Sequence, residues 1–290
     1  MTDIELPEGI TLLDAPLAGI KVDTPAATGV IYFNGAHIAA WTPAGQHPVL
    51  WLSDQAILEP GKAIRGGIPL LWPWFGAGDD GQHTPMHGIA RVSTWNLLRA
   101  KVSPAGTANI VLGLDGAAVD PGLAPDLPRD YRLELHISMG KTLIVQLVVF
   151  AGDSELFFED GLHSYFAVGD IHKTRIEGLD GAAYSDRLTD GCATQQGAVS
   201  FEGETDRIYE SRETLRIIDD EWNRTLLIEK VGSAQSVIWN PWIAKAAATP
   251  DLGDDDWQEF VCAEAVNVRD QSVNVEPGGR HLISQTISII

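Results

Sequence analysis

The 290-residue chain carries 40 acidic against 20 basic side chains, for a formal net charge of -20, and is 44% hydrophobic and 21% charged. That length can bury a large core, either as two average domains or as one large all-β domain, and the composition is that of a soluble globular protein. The charge argues against nucleic acid or an anionic membrane as partner, because the mean field repels polyanions; a small anionic ligand requires a local group of cations to override that field.

Only two cysteines are present, Cys192 and Cys262, so there is no disulfide framework and no CxxC metal knuckle. Two reduced thiols fit a cytoplasmic protein. The start, Met1-Thr2-Asp3-Ile4-Glu5-Leu6-Pro7, is acidic and lacks the cationic, apolar pattern of a signal peptide. The longest apolar run, Leu143 to Phe150, is interrupted by Gln146 and is too short to span a bilayer.

In chain order, residues 1–28 read as a lead-in segment in which Pro7, Pro16 and Pro25 prevent a long regular element. Strand signals begin at 29–33 and meet Asn34-Gly35, the strongest short-range hairpin signal; 36–41 and 49–52 continue as strands. Residues 64–76, rich in Gly, Pro and Trp, fit neither a helix nor a clean strand, and 77–86 read as an exposed loop. Strands are expected at 94–101 and 108–114. After a Pro/Asp/Gly loop at 115–130, Tyr131 to Ile137 alternates with period two, which indicates one dry and one wet face. Further strands are expected at 141–150, 156–158, 162–168, 174–179, 215–218, 225–230, 236–239, 260–268 and 282–290, with one short helix near Ile243–Ala248. No repeat or low-complexity linker divides the chain, so one large all-β domain over 1–290, a sandwich or barrel, is expected.

Within the last third, Val261-Cys262-Ala263-Glu264-Ala265-Val266-Asn267-Val268 is an apolar, β-prone stretch with one carboxylate at its centre. Small neighbours leave room for a ligand beside Glu264, and poor hydration raises a carboxyl pKa towards the range useful for proton transfer.

Four segments together resemble the aldose 1-epimerase (mutarotase) superfamily, and within it the glucose-6-phosphate 1-epimerase branch. They are Ile64-Arg65-Gly66-Gly67-Ile68-Pro69-Leu70-Leu71-Trp72-Pro73-Trp74-Phe75-Gly76; His87-Gly88-Ile89-Ala90-Arg91 with Trp95; Gly161-Leu162-His163-Ser164-Tyr165-Phe166; and Trp239-Asn240-Pro241-Trp242 through Gly253-Asp254-Asp255-Asp256 to Cys262–Val268. They fall in the family's order over roughly three quarters of the chain, and their joint occurrence makes the match specific. The resemblance implies a large antiparallel β-sandwich of the galactose mutarotase-like kind.

It also implies interconversion of the anomers of a hexose 6-phosphate, glucose 6-phosphate foremost, by acid/base ring opening and reclosure without metal or organic cofactor. Glu264 is then the base and His163 the acid, a role that suits a group titrating near neutrality. His87 holds the sugar, and Arg65 and Arg91 meet the phosphorylated end, where guanidinium forks match phosphate oxygens. Asp206 accepts from sugar hydroxyls, Lys245 is a further binding candidate, and Trp72, Trp74 and Trp242 either stack on sugar or pack the core. One departure stands out: Met86 precedes His87 where the family commonly has a sugar-binding glutamine, with Gln82 four residues earlier. Two other readings share the same pocket, a mutarotase for neutral hexoses such as galactose or glucose and a non-catalytic sugar-binding or regulatory protein. A monomer is expected, in the cytoplasm.

Overall fold

The structure, a computed structural model, describes residues 5–290. Every strand pairing among them is antiparallel, and two large sheets dominate. The nine-stranded sheet runs, in spatial order, Val199–Ser200, Thr174–Glu177, Leu215–Asp219, Arg224–Val231, Arg280–Ile289, Leu143–Phe150, Arg132–Met139, Ala108–Asp115 and Asn96–Val102. The eight-stranded sheet runs Gly191–Thr194, Ala183–Asp186, Thr205–Tyr209, Gln235–Asn240, Phe260–Asn267, Asp160–Leu162 and Leu70–Leu71, with Tyr165–Ala167 also paired to Phe260–Asn267. Leu135, Leu147, Ile283 and Ile287 of the first sheet share one core with Leu162, Val261, Ala263 and Ala265 of the second. The expected antiparallel sandwich is therefore formed by period-two faces closing on each other. Among the described residues no helix is long and apolar enough to cross a membrane.

The predicted strands from residue 94 to 158 appear within two residues of their expected ends, and the short helix is Trp242–Ala247. Asn34-Gly35 lies between the paired strands Ala27–Tyr32 and His37–Pro43, as a hairpin requires. The lead-in expectation is corrected: Ile10–Leu13 and Gly19–Asp23 join that hairpin as a four-stranded sheet. Pro7 precedes the first of these strands and Pro16 and Pro25 fall between strands, so they bound short elements instead of preventing them. Residues 49–52 make only isolated bridges, Leu50 to Phe166 and Leu52 to Gly66.

The strand expected over 162–168 is interrupted at His163 and Ser164, between Asp160–Leu162 and Tyr165–Ala167. Its partner Phe260–Asn267 does not shift: Leu162 faces Ala265 and Tyr165 faces Cys262. The same register carried through the gap sets His163 opposite Glu264 and Ser164 opposite Ala263. His163 N–H continues the ladder on the other side, donating to the carbonyl of Pro69 (3.0 Å), whereas Ser164 N–H turns back to that of Leu162 (3.0 Å).

Candidate active site

Alternation along Phe260–Asn267 sends Val261, Ala263 and Ala265 into the inter-sheet core and leaves Cys262, Glu264 and Val266 on the other face. Glu264 is 1% exposed there, with Oε2 making no hydrogen bond. His163, its cross-strand neighbour, places Nδ1 3.4 Å from Glu264 Oε1. The imidazole lies flat on Tyr165, ring centroids 4.8 Å apart and planes 7° from parallel. Tyr165 Oη accepts from Arg65 Nη1 at 3.1 Å, and the same guanidinium pairs with Asp251 at 3.0 Å. A stack and an ion pair thus fix the plane of His163.

His87 approaches from the loop after Trp74, its ring 5.5 Å from that of His163. It sits at φ 65°, a left-handed conformation rare for a non-glycine residue, and is held by Gly76 from both sides. Gly76 carbonyl accepts the His87 N–H (2.6 Å), while Gly76 N–H donates to His87 Nδ1 (3.2 Å). With Nδ1 an acceptor, the proton of the neutral ring lies on Nε2, so His87 offers a donor at that atom. Gly88 is required next to it, since a Cβ at its φ of 83° would run into the Trp72 carbonyl.

All seven residues expected from the sequence line a single cavity of about 510 Å³: His163, Glu264, Arg65, His87, Arg91, Asp206 and Lys245. That volume suits a small-molecule site. Lys62 and Arg187 also line it, making five basic side chains against two acidic ones in a chain with twice as many acids as bases. Arg187 was not expected from the sequence, where it lies in a polar stretch with no periodicity. It pairs with Asp206 at 3.3 Å and lies over the Phe75 ring at 4.8 Å.

Arg91 is buried without any ion pair or side-chain hydrogen bond among the described residues, and its Nε is sealed from solvent. Burial pulls its pKa down to about 10. Behind it, His37 is driven to about 3 by burial and by the Arg91 charge. An uncompensated guanidinium of this kind is costly to the fold and attracts an anion.

Burial pushes Glu264 well above the usual carboxylate range, assisted by the Asp206 charge and opposed by Arg187 and Arg91. Burial holds His163 well below its ordinary value, followed by His87, Arg91 and Arg65. His87 is lowered in the same way, by burial and then by Arg91, Arg187 and Arg65. Desolvation therefore favours a protonated carboxyl beside a neutral imidazole.

The tryptophan candidates fall outside the cavity. Trp72 packs on Tyr131 (4.6 Å), Trp242 packs on Trp257 (4.3 Å), and Trp74 donates Nε1 to the Pro85 carbonyl. Trp239 lines the cavity instead, edge-on to His163. Met86 is at the cavity, 57% exposed, whereas Gln82 borders a different cavity and does not replace the missing amide. That neighbouring space, about 680 Å³, is bordered by Trp74, Asp80, His83, Asp126 and Phe157. Size alone would favour it, but its histidine–carboxylate pair, His83 with Asp80 at 3.0 Å, is exposed to solvent, and no Lys or Arg lines it.

His163, Glu264 and Cys262 offer ligand atoms within 4.8 Å of one another. Burial keeps the Cys262 thiol protonated, with Glu264 adding to that effect, and the cavity is already rich in cations. These surroundings oppose a resident metal ion.

A buried histidine–carboxylate pair in a cation-lined cavity, on the face of the sheet turned away from the inter-sheet core, is a candidate site for acid/base chemistry on a small anionic molecule. The chain belongs to the aldose 1-epimerase family, whose model matches residues 20–288. It is 34% identical over 248 residues to a protein of Escherichia coli (strain K12) provisionally named glucose-6-phosphate 1-epimerase, covering 84% of this chain and 81% of that one. A Cenchrus ciliaris protein of the same provisional name is 33% identical over 260 residues, 86% of this chain and 77% of its own. Among solved structures, a provisionally described mutarotase, YeaD of Salmonella typhimurium, superposes with TM-score 0.91 at 30% identity, over 99% of this chain and 95% of that one. A galactose mutarotase-like protein from Clostridium acetobutylicum shares the fold, with TM-score 0.73 at 14% identity over 97% and 98% of the two chains.

Proposed function

We propose that this enzyme interconverts the α and β anomers of a hexose 6-phosphate, glucose 6-phosphate foremost, with His163 and Glu264 as the proton-transfer pair. The supporting observation is that the pair, 3.4 Å apart, shares its cavity with the buried and unpaired Arg91. In the reactive state His163 carries a proton and Glu264 is ionised. Glu264 takes the proton from the anomeric hydroxyl, the bond from C1 to the ring oxygen breaks, and His163 protonates that oxygen. Rotation about C1–C2 exposes the other face of the aldehyde, and reclosure returns both protons. The two oxygens share one carbon, so adjacent donor and acceptor groups serve both.

Opening leaves the pair neutral, the distribution that burial favours, so desolvation assists the bond-breaking step. A phosphate near Arg65 and Arg91 offsets the cations that depress His163 and so helps it acquire its proton before opening. His87, with its Nε2 donor, and Asp206 orient the sugar, Arg187 adds a cation beside Asp206, and Lys245 lies on the same wall.

Exchange NMR on glucose 6-phosphate and glucose, with and without enzyme, tests the assignment, because both sugars also mutarotate unaided. Faster exchange of the phosphate ester, with Arg65→Ala weakening the ester far more than glucose, is expected. Equal losses for both sugars would move the assignment to neutral hexoses, and saturable binding without acceleration would make this a binding protein.

A further inference from the structure

Gln285 lies on Arg280–Ile289 between Ile283 and Ile287, and all three are wholly buried. Period two points them alike into the sandwich, where Ile283 and Ile287 join the apolar core. An amide in such a row costs more than it returns unless its oxygen and NH₂ both find partners.

Those partners are specific. Gln285 Oε1 accepts from Ser164 Oγ at 2.5 Å, and Nε2 donates to the Ala263 carbonyl at 3.0 Å. Ser164 directly follows His163, and Ala263 directly precedes Glu264. One side chain from the opposite sheet therefore grips the chain beside both members of the pair.

The opened ladder explains why a grip is needed there. Of the two bonds expected between opposed residues 164 and 263, one survives, Ala263 N–H to Ser164 carbonyl at 3.2 Å. The other is lost because Ser164 N–H turns to Leu162, which would leave the Ala263 carbonyl orphaned in the core. Gln285 Nε2 takes the place of that missing donor.

We propose that Gln285 is a positioning residue that replaces the lost ladder bond and sets the spacing of His163 and Glu264. The inference rests on the proton-transfer reading above. Gln285 does not touch the cavity, so its effect falls on turnover and not on sugar affinity.

The test compares anomer exchange of glucose 6-phosphate, per folded molecule, in four variants. Gln285→Met keeps length and removes both bonds; kcat is expected to fall about tenfold to a hundredfold. KM is expected to stay within about twofold, with the pH profile of kcat displaced. Ile283→Ala, from the same strand, controls for mere destabilisation and should leave kcat and its pH profile unchanged. Should Gln285→Met fail to fold, Ser164→Ala removes only the hydroxyl bond and should show a smaller kcat loss with the same displacement. Wild-type kcat and pH profile in Gln285→Met, or in Ser164→Ala when that is the folded variant, overturn the proposal. Glu264→Gln separates the two ideas: if it retains exchange, the proton-transfer reading fails and the positioning role falls with it. If it loses exchange while Gln285→Met does not, only the positioning role fails.

Discussion

Replacing Glu264 by Gln should trade activity for stability, and the pH dependence of the gain reports the state of the carboxyl. The side chain is 1% exposed, Oε2 has no hydrogen bond, and the nearest basic atom is His163 Nδ1 at 3.4 Å. Burial, with Asp206, therefore raises the native pKa well above the 4.5 of a free glutamate. Between 4.5 and the native value the folded protein holds one proton more than the unfolded chain. Stability from this group is then full below 4.5 and falls as pH rises, by about 1.4 kcal/mol per pH unit, until the native carboxyl ionises. Glutamine keeps the shape and does not titrate, so the stability difference, variant minus wild type, should grow upward from pH 4.5. Urea unfolding at pH 4.5, 5.5 and 6.5 measures it, and contributions common to both proteins cancel. A difference that stays flat across that range refutes the reasoning and means that Glu264 is ionised beside a protonated His163. Anomer exchange should meanwhile drop by about a hundredfold to ten-thousandfold, the usual contribution of a positioned general base.

Acid should destabilise the wild type from a higher pH than carboxylates alone would dictate. His37 titrates near 3 in the fold against 6.5 when free, so the unfolded chain binds the extra proton and stability falls as pH drops below 6.5. Between pH 6.5 and 3 this amounts to about 5 kcal/mol, and His87 and His163 act in the same direction. His37→Gln should flatten the slope of unfolding free energy between pH 7 and 5; an unchanged slope would mean that His37 titrates in the fold as it does in the unfolded chain. Arg91→Met should raise stability at pH 7 by up to about 3 kcal/mol, because a guanidinium that burial lowers to about 10 carries that cost while charged. The same variant should raise KM for glucose 6-phosphate at least about tenfold and lose any thermal stabilisation by inorganic phosphate. A destabilised variant with unaltered KM would mean that Arg91 serves packing alone.

Much of the fold was legible because alternating apolar residues bind a strand to one face. Tyr131–Ile137 reads correctly since Leu133, Leu135 and Ile137 must all turn inward together. Thr205–Tyr209 and Ala183–Asp186 did not announce themselves: they are short and polar, and their pairing comes from neighbours distant in sequence. Arg187 and Gln285 escaped for related reasons. Arg187 carries no local pattern, and Gln285 is indistinguishable from any other glutamine until its place between Ile283 and Ile287 is read as an inward-facing row.

Strand periodicity along the chain indicated an all-β sandwich or barrel, and the resemblance of four motifs to the aldose 1-epimerase family supplied His163 and Glu264 as candidate acid and base and Arg65, Arg91 and Lys245 as candidate binding cations. Lys62 and Arg187 joined them only in the fold. Whether residues a hundred positions apart meet depends on strand register, a property of pairing between segments and not of either one. That register sets His163 across from Glu264 at a gap in the ladder. Only the folded protein shows how the gap is accommodated: Ser164 N–H turns back to the Leu162 carbonyl, and a glutamine amide from the facing sheet donates to the Ala263 carbonyl left behind.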